Sequence, residues 1–247
     1  MNSRAASVAV VSVVLLAWSA SALTFVRPAP QVRLVEVKVT AGGKTSTATP
    51  DMLGTADPKY LGSVTTFSDD RLAFTANLNS HGLLLVVENK GGESAKVLWE
   101  DGAFIDEQNA SHPLRHESRA ASEERGKRIF EEMKRRLARG ESSLLKEEEL
   151  PPSSPTSIIV AGTQLDEWVH AADLVGESKK FLFPTSDSAS PIAGESAADV
   201  RARVEEKVAA AKGNKYRYLI PIRMGDERRE YLFTFVYEGA EISVETR

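Results

Sequence analysis

Val32-Arg-Leu-Val-Glu-Val-Lys-Val-Thr40 alternates apolar and polar side chains with period two, most cleanly from Val35 onward. That is the pattern of a strand with one face buried and the other wet. Similar segments recur along the chain. Arg71-Leu-Ala-Phe-Thr-Ala-Asn-Leu-Asn79 alternates again, and His81-Gly82 turns into Leu83-Leu-Leu-Val-Val-Glu-Asn89. The unbroken apolar run of the latter predicts burial on both faces, or a place at the centre of a sandwich. Lys90-Gly91-Gly92-Glu93 predicts a tight turn, with Ala95-Lys-Val-Leu-Trp-Glu100 completing a hairpin. Strand character returns at Thr156–Ala161, Leu165–Val169 and Phe181–Pro184. Tyr216-Arg-Tyr-Leu-Ile-Pro-Ile222 and Glu230-Tyr-Leu-Phe-Thr-Phe-Val-Tyr237 close the chain around the turn Gly225-Asp226-Glu227. Short strands set off by turns, with no regular strand–helix alternation and no internal repeat, predict a mainly β, antiparallel sandwich.

Two helical segments interrupt the strands. From Ser122 to Arg139 the chain is dense in Glu, Lys and Arg, and Ile129, Met133 and Leu137 recur at fourfold spacing with Phe130 beside them. This is one apolar stripe on a charged helix, which could pack on the sandwich or face a partner. Ala197–Lys212 carries Val200, Val204 and Val208 on one face and stops at Gly213-Asn214. The Gly-, Ser- and Thr-rich stretch 41–63 reads as loop, and 119–155, ending in Pro151-Pro152-Ser-Ser-Pro155, as an insertion between strands. Residues 32–247 therefore form a single β-sandwich domain behind a Pro-flanked linker, 23–31.

The first 22 residues have the make-up of a signal peptide: Arg4, a run from Val8 to Ala17 that is apolar apart from Ser12, and Ala20-Ser21-Ala22 before the cleavage point. Apolar and small residues continue to Val26, so residues 5–26 also allow an uncleaved inner-membrane anchor. The expected location is the periplasm or the extracellular space, and the membrane enters only through that anchor. The remainder is expected to be soluble. With no cysteine in the chain, disulfides, thiolate metal sites and N-terminal Cys acylation are excluded. Cleavage would remove Arg4 and take the formal charge from −4 to −5. Such a balance argues against nucleic acid, which rewards clustered cations.

No catalytic constellation stands out, and no cofactor is implied. His112-x-x-x-His116 has the spacing of two metal ligands on a helix, but Pro113 between them argues for strand or loop, where residues four apart lie about 13 Å from each other. Asp106, Glu117 or His170 are the available third ligands. No Gly-x-Ser-x-Gly elbow displays a serine nucleophile. Glu100-Asp101 and Asp166-Glu167 read as solvated turns, because neighbours on a strand point to opposite faces and make no dyad. Gly42-Gly43-Lys44-Thr45 ends like a phosphate loop without its first glycine or its helix. Asn109-Ala-Ser111 is a formal glycosylation sequon. Trp99 is expected in the core, and Trp168, near His170, at a partly exposed edge.

Val97-Leu-Trp-Glu-Asp-Gly-Ala-Phe-Ile-Asp106, followed by Ser111 and Arg115-His116, resembles a group of uncharacterised bacterial envelope proteins, often lipoproteins. They carry a strand ending in Trp, then Phe-Ile-Asp, a polar turn and Ser…Arg…His. Further matches follow in order over roughly residues 80–240: Pro151-Pro152 to Ile158-Ile159-Val160, Asp166–Val169, Leu182-Phe183-Pro184 and Glu230-Tyr231-Leu-Phe233-Thr-Phe235. This chain departs from the group in lacking the lipid-bearing Cys and in the extra length of 119–149. The resemblance implies an immunoglobulin-like β-sandwich at the cell envelope and no activity. Trp99 and Phe104 would then lie in the core, with Asp106 and His116 tying the loop.

The expected function is a non-catalytic exported module that binds a protein or cell-envelope partner. Trp99, Phe104, Asp106, His112, Arg115, His116 and Trp168 are its candidate loop cluster. The alternatives are a periplasmic hydrolase or metal-binding protein centred on Asp106, His112 and His116.

Overall fold

The computed structural model of the chain describes residues 24–52, 64–79, 82–139, 156–173, 183 and 195–246. The signal segment 1–22 and the expectations placed on His81, 140–155, Phe181, Leu182 and Pro184 fall outside the described residues.

The strands are β1 (Thr24–Ala41), β2 (Lys44–Ala48), β3 (Asp51–Met52), β4 (Thr65–Ser68), β5 (Leu72–Asn79), β6 (Gly82–Asn89) and β7 (Ala95–Leu98). They continue as β8 (Ala103–Ile105), β9 (Ser111–Ser118), β10 (Thr156–Ile159), β11 (Gln164–Ala171), β12 (Lys215–Met224) and β13 (Glu227–Thr246). The helices are α1 (Arg119–Ala138) and α2 (Ala197–Ala211). Every strand pair is antiparallel, and the order along the sheet is β2-β1-β13-β12-β8-β9-β11-β6-β5-β4-β3, with β7 joining β12 to β10.

This long sheet bends back on itself. Phe74 from β5 packs 4.6 Å from Tyr231 and 5.3 Å from Phe233 of β13, strands that are far apart in the sheet order. The two halves thus face one another across an aromatic core, the sandwich-like mainly β fold that the alternation predicts. β12 buries Tyr216, Tyr218, Ile220, Ile222 and Met224, and β13 buries Tyr231, Phe233, Phe235 and Tyr237. The turn of the sheet is made by β9. Its residues 111–113 pair with β8, and its residues 114–118 pair with β11. A strand that changes sheets in this way is how a sandwich closes a corner.

β1 explains why its alternation is cleanest from Val35. Val32 and Leu34 are buried, then Val37 and Val39, so the inward positions change from even to odd numbers. A register shift against β13 between Leu34 and Glu36 inserts the extra residue that makes this possible. Gly42 and Gly43, at φ +54° and +75°, form the two-residue turn between β1 and β2. The Gly-Gly-Lys-Thr motif is therefore a hairpin rather than a phosphate loop.

Three expectations are corrected. Residues 24–31, read as linker, are strand paired with 239–246 of β13. Pro28 and Pro30 are compatible with this because, among the described residues, β1 carries no second partner strand there, and an absent N–H on an open edge removes no ladder bond. Within 41–63, residues 44–48 and 51–52 are strand. The turn at 90–93 joins no hairpin: β6 pairs with β5 and β11, while β7 pairs with β10 and β12.

α1 begins directly from β9, three residues before the expected start, with the Ser118 hydroxyl accepting the Ala121 N–H. α2 opens with a capping box between Ser196 and Asp199. It lays Val200 and Val204 on Val26 and Ile242, over the ribbon made by the outer ends of β1 and β13. Among the described residues no helix is long and apolar enough to cross a membrane.

Candidate functional site

The corner strand β9 positions most of the candidate residues. Its alternation sends His112, Leu114 and His116 to the inner side and Arg115 and Glu117 to the outer. Both histidines thus share a face, as four-residue spacing on a strand requires, but they engage different carboxylates, two at His112 and one described at His116.

His112 lies between two of them. Its Nδ1 is 2.8 Å from Oδ2 of Asp173, and its Nε2 is 3.2 Å from Oδ2 of Asp106. Phe104, fully buried opposite it on β8, packs its ring 5.7 Å away. Burial alone would depress the His112 pKa, but hydrogen bonds and charge from Asp173 and Asp106 outweigh it, and the ring is held above its ordinary value. Asp106 also accepts the N–H groups of Gln108 and Ala110, closing the loop before β9, where Asn109 adopts a left-handed φ of +66°. Burial raises its pKa, yet these donors and His112 carry the net shift downward. Asn109 of the sequon is exposed, and its side-chain oxygen accepts from Arg217.

His116 belongs to a separate, drier cluster. The Trp99 ring stacks on it at 4.5 Å with a 22° tilt, and its Nδ1 is 3.2 Å from Oε2 of Glu167. Trp99, itself buried, donates its indole N–H to the Ser157 hydroxyl of β10 at 2.9 Å. The expectation that His116 ties the Asp106 loop is thus replaced: His112 does so, while His116 joins the core to β11.

The outer face of the same corner carries Glu117 opposite Trp168 and Arg115 opposite His170. Arg115 is exposed, and Trp168 is half-buried, at 6.3 Å from the His170 ring. α1 binds this face by charge. Arg125 reaches both oxygens of Glu117, and Arg119 lies 3.6 Å from Asp166. Desolvation raises the Asp166 pKa, partly opposed by Arg119. Asp166 and Glu167 therefore do point to opposite faces, but from the middle of a strand rather than from a solvated turn. Glu100-Asp101 does lie in an exposed turn, where Asp101 pairs with Arg228.

The structure brings Asp106, His112 and Phe104 together, and separately His116 and Trp99; Trp168 and Arg115 lie across the sheet from both. Sequence reading missed Asp173, Glu167 as the partner of His116, and the arginines of α1. It also missed an ionic tie at the opposite edge, where Arg229 meets Asp69 and Asp70 and the Tyr231 hydroxyl donates to Asp69 at 2.7 Å. That tie borders a cleft of about 610 Å³ lined by Lys44, Thr45, Ser46 and Phe67.

No protein-family model, curated protein or solved structure matches this chain.

A general base needs a ring nitrogen open toward a nucleophile, and both nitrogens of His112 already face carboxylates. Those nitrogens point to opposite sides of the ring, so Asp106 and Asp173 cannot converge with His112 on one metal ion. Glu117 and His170 lie on the other face of the sheet from His112 and His116. Among the described residues no group of three or more His, Asp or Glu is arranged to hold a metal ion.

Proposed function

We propose that this is an exported, non-catalytic β-sandwich protein that binds a protein or cell-envelope partner through α1 and the adjoining sheet corner. Export to the periplasm or beyond rests on the Arg4, Val8–Ala17 and Ala20-Ser21-Ala22 pattern, with residues 5–26 as the uncleaved alternative. The envelope-protein resemblance points to the same compartment.

One observation carries the role of α1. Phe130 stands half exposed on its flank, with the Lys134 ammonium 4.4 Å above the ring, while Ile129 and Met133 of the same helix are partly covered. An exposed aromatic flanked by a cation on a regular element has the composition of a binding anchor. α1 carries seven Lys and Arg against four Glu, in a chain whose net charge is −4, so the surface it offers favours an acidic partner.

The test is capture from envelope extract of the source organism by the tagged chain. The wild-type protein is expected to retain a partner that Phe130→Glu loses at an unchanged melting temperature. Equal capture by both proteins would remove α1 from the binding surface.

A further inference from the structure

We propose that His112 is a pH-operated latch: as an imidazolium it holds the loop before β9, through Asp106, to the residues following β11, through Asp173, and on losing its proton to solvent it releases Asp173. The inference does not depend on the binding role given to α1.

The geometry alone requires two donors. A neutral imidazole has one N–H and one lone pair, and a lone pair facing a carboxylate oxygen is repelled. Contacts of 2.8 Å and 3.2 Å to Asp173 and Asp106 on opposite nitrogens are therefore simultaneously favourable only when both nitrogens carry hydrogen. Among the described residues, the charged groups acting on the ring are Asp173 and Asp106. Phe104 approaches from β8, the β9 neighbours Ser111 and Pro113 are neutral, and Arg217 of β12 is taken up by Asn109.

The two carboxylates are not equivalent. Asp106 is largely covered and fixed by the Gln108 and Ala110 amides, whereas the Asp173 side chain is 52% exposed and can rehydrate. When one bond has to go, Asp173 leaves. A backbone bond, Ala172 N–H to Pro113 O at 2.7 Å, crosses the same gap just beyond the last β9–β11 pair, Ala171 opposite Leu114, and frays first when Asp173 lets go. A ring whose pKa is raised on folding contributes stability that is complete below its unfolded value, about 6.5, and is lost as the pH rises through the folded value. Alkalinity therefore opens the latch and acidity closes it.

The experiment is an NMR titration of the intact chain, with the His112 ring assigned by its loss in His112→Gln. The ring is expected to titrate above about 6.5. Over the same range the protection factor of the Ala172 amide, corrected for intrinsic exchange, is expected to fall by about tenfold or more. Asp173→Asn should move the titration down and abolish the step at Ala172. A ring titrating at or below its ordinary value, or Ala172 protection flat across the titration, would overturn the proposal. Should Asp173→Asn fail to fold, the wild-type titration and Ala172 protection decide the matter by themselves.

Discussion

His116 is held by Trp99 stacked on its ring and by Glu167 across the β9–β11 pair, all three buried. Removing one member of a buried ionisable pair leaves the other desolvated, so Glu167→Ala is expected to cost about 3 kcal/mol in urea unfolding. A loss below about 0.5 kcal/mol would place the pair among surface interactions and contradict this account. Tyr218 makes the opposite prediction. Its hydroxyl is wholly buried with no hydrogen-bond partner among the described residues, and burial raises its pKa far above the phenol range. Tyr218→Phe should leave stability unchanged or raise it by up to about 1 kcal/mol; a large loss would mean the hydroxyl is bonded. Gly82, at φ +145°, has no room for a side chain, because an added Cβ would sit 2.7 Å from the Val169 carbonyl and 2.8 Å from the His170 ring. Gly82→Ala is expected to lower the melting temperature through both strain and contact. None of these partnerships was legible locally. His112 and Asp173 are 61 residues apart, and nothing near either one names the other.

At the scale of elements, period and capping carried most of the reading. Alternating or unbroken apolar runs marked β1, β5, β6, β7, β10, β11, β12 and β13 but left β2, β3, β4 and β8 unmarked, and the Val200, Val204 and Val208 stripe identified α2, which ends one residue before its expected limit. Ser196→Ala removes the capping box of α2 and should cost about 1 kcal/mol by denaturation, provided Asp199 is left in place. Boundaries were missed where a side chain's role depends on a distant neighbour. Arg27-Pro28-Ala29-Pro30 looks like a spacer to any local rule, and becomes strand only because the far end of β13 lies beside it. The turn at 90–93 was visible, but a turn does not specify which strand its second arm will join. β7 crosses instead to β12.

The whole molecule is organised by one corner. β9 passes from one half of the sheet to the other, presents His112 and His116 to the inside, and continues without a loop into α1. A sandwich was foreseeable from the spacing of strands. The corner was not, because sheet exchange within eight residues leaves no mark on hydrophobic period. This placement couples the corner to α1, and α1 is where binding is proposed. The most direct test of that claim is a photo-reactive amino acid placed at position 130 of α1, and for comparison at position 44 of β2, followed by irradiation in envelope extract. One discrete cross-linked species from position 130, absent from position 44 and displaced by excess wild-type protein but not by Phe130→Glu, is the predicted result. No adduct at position 130, or the same adduct from both positions, would contradict it.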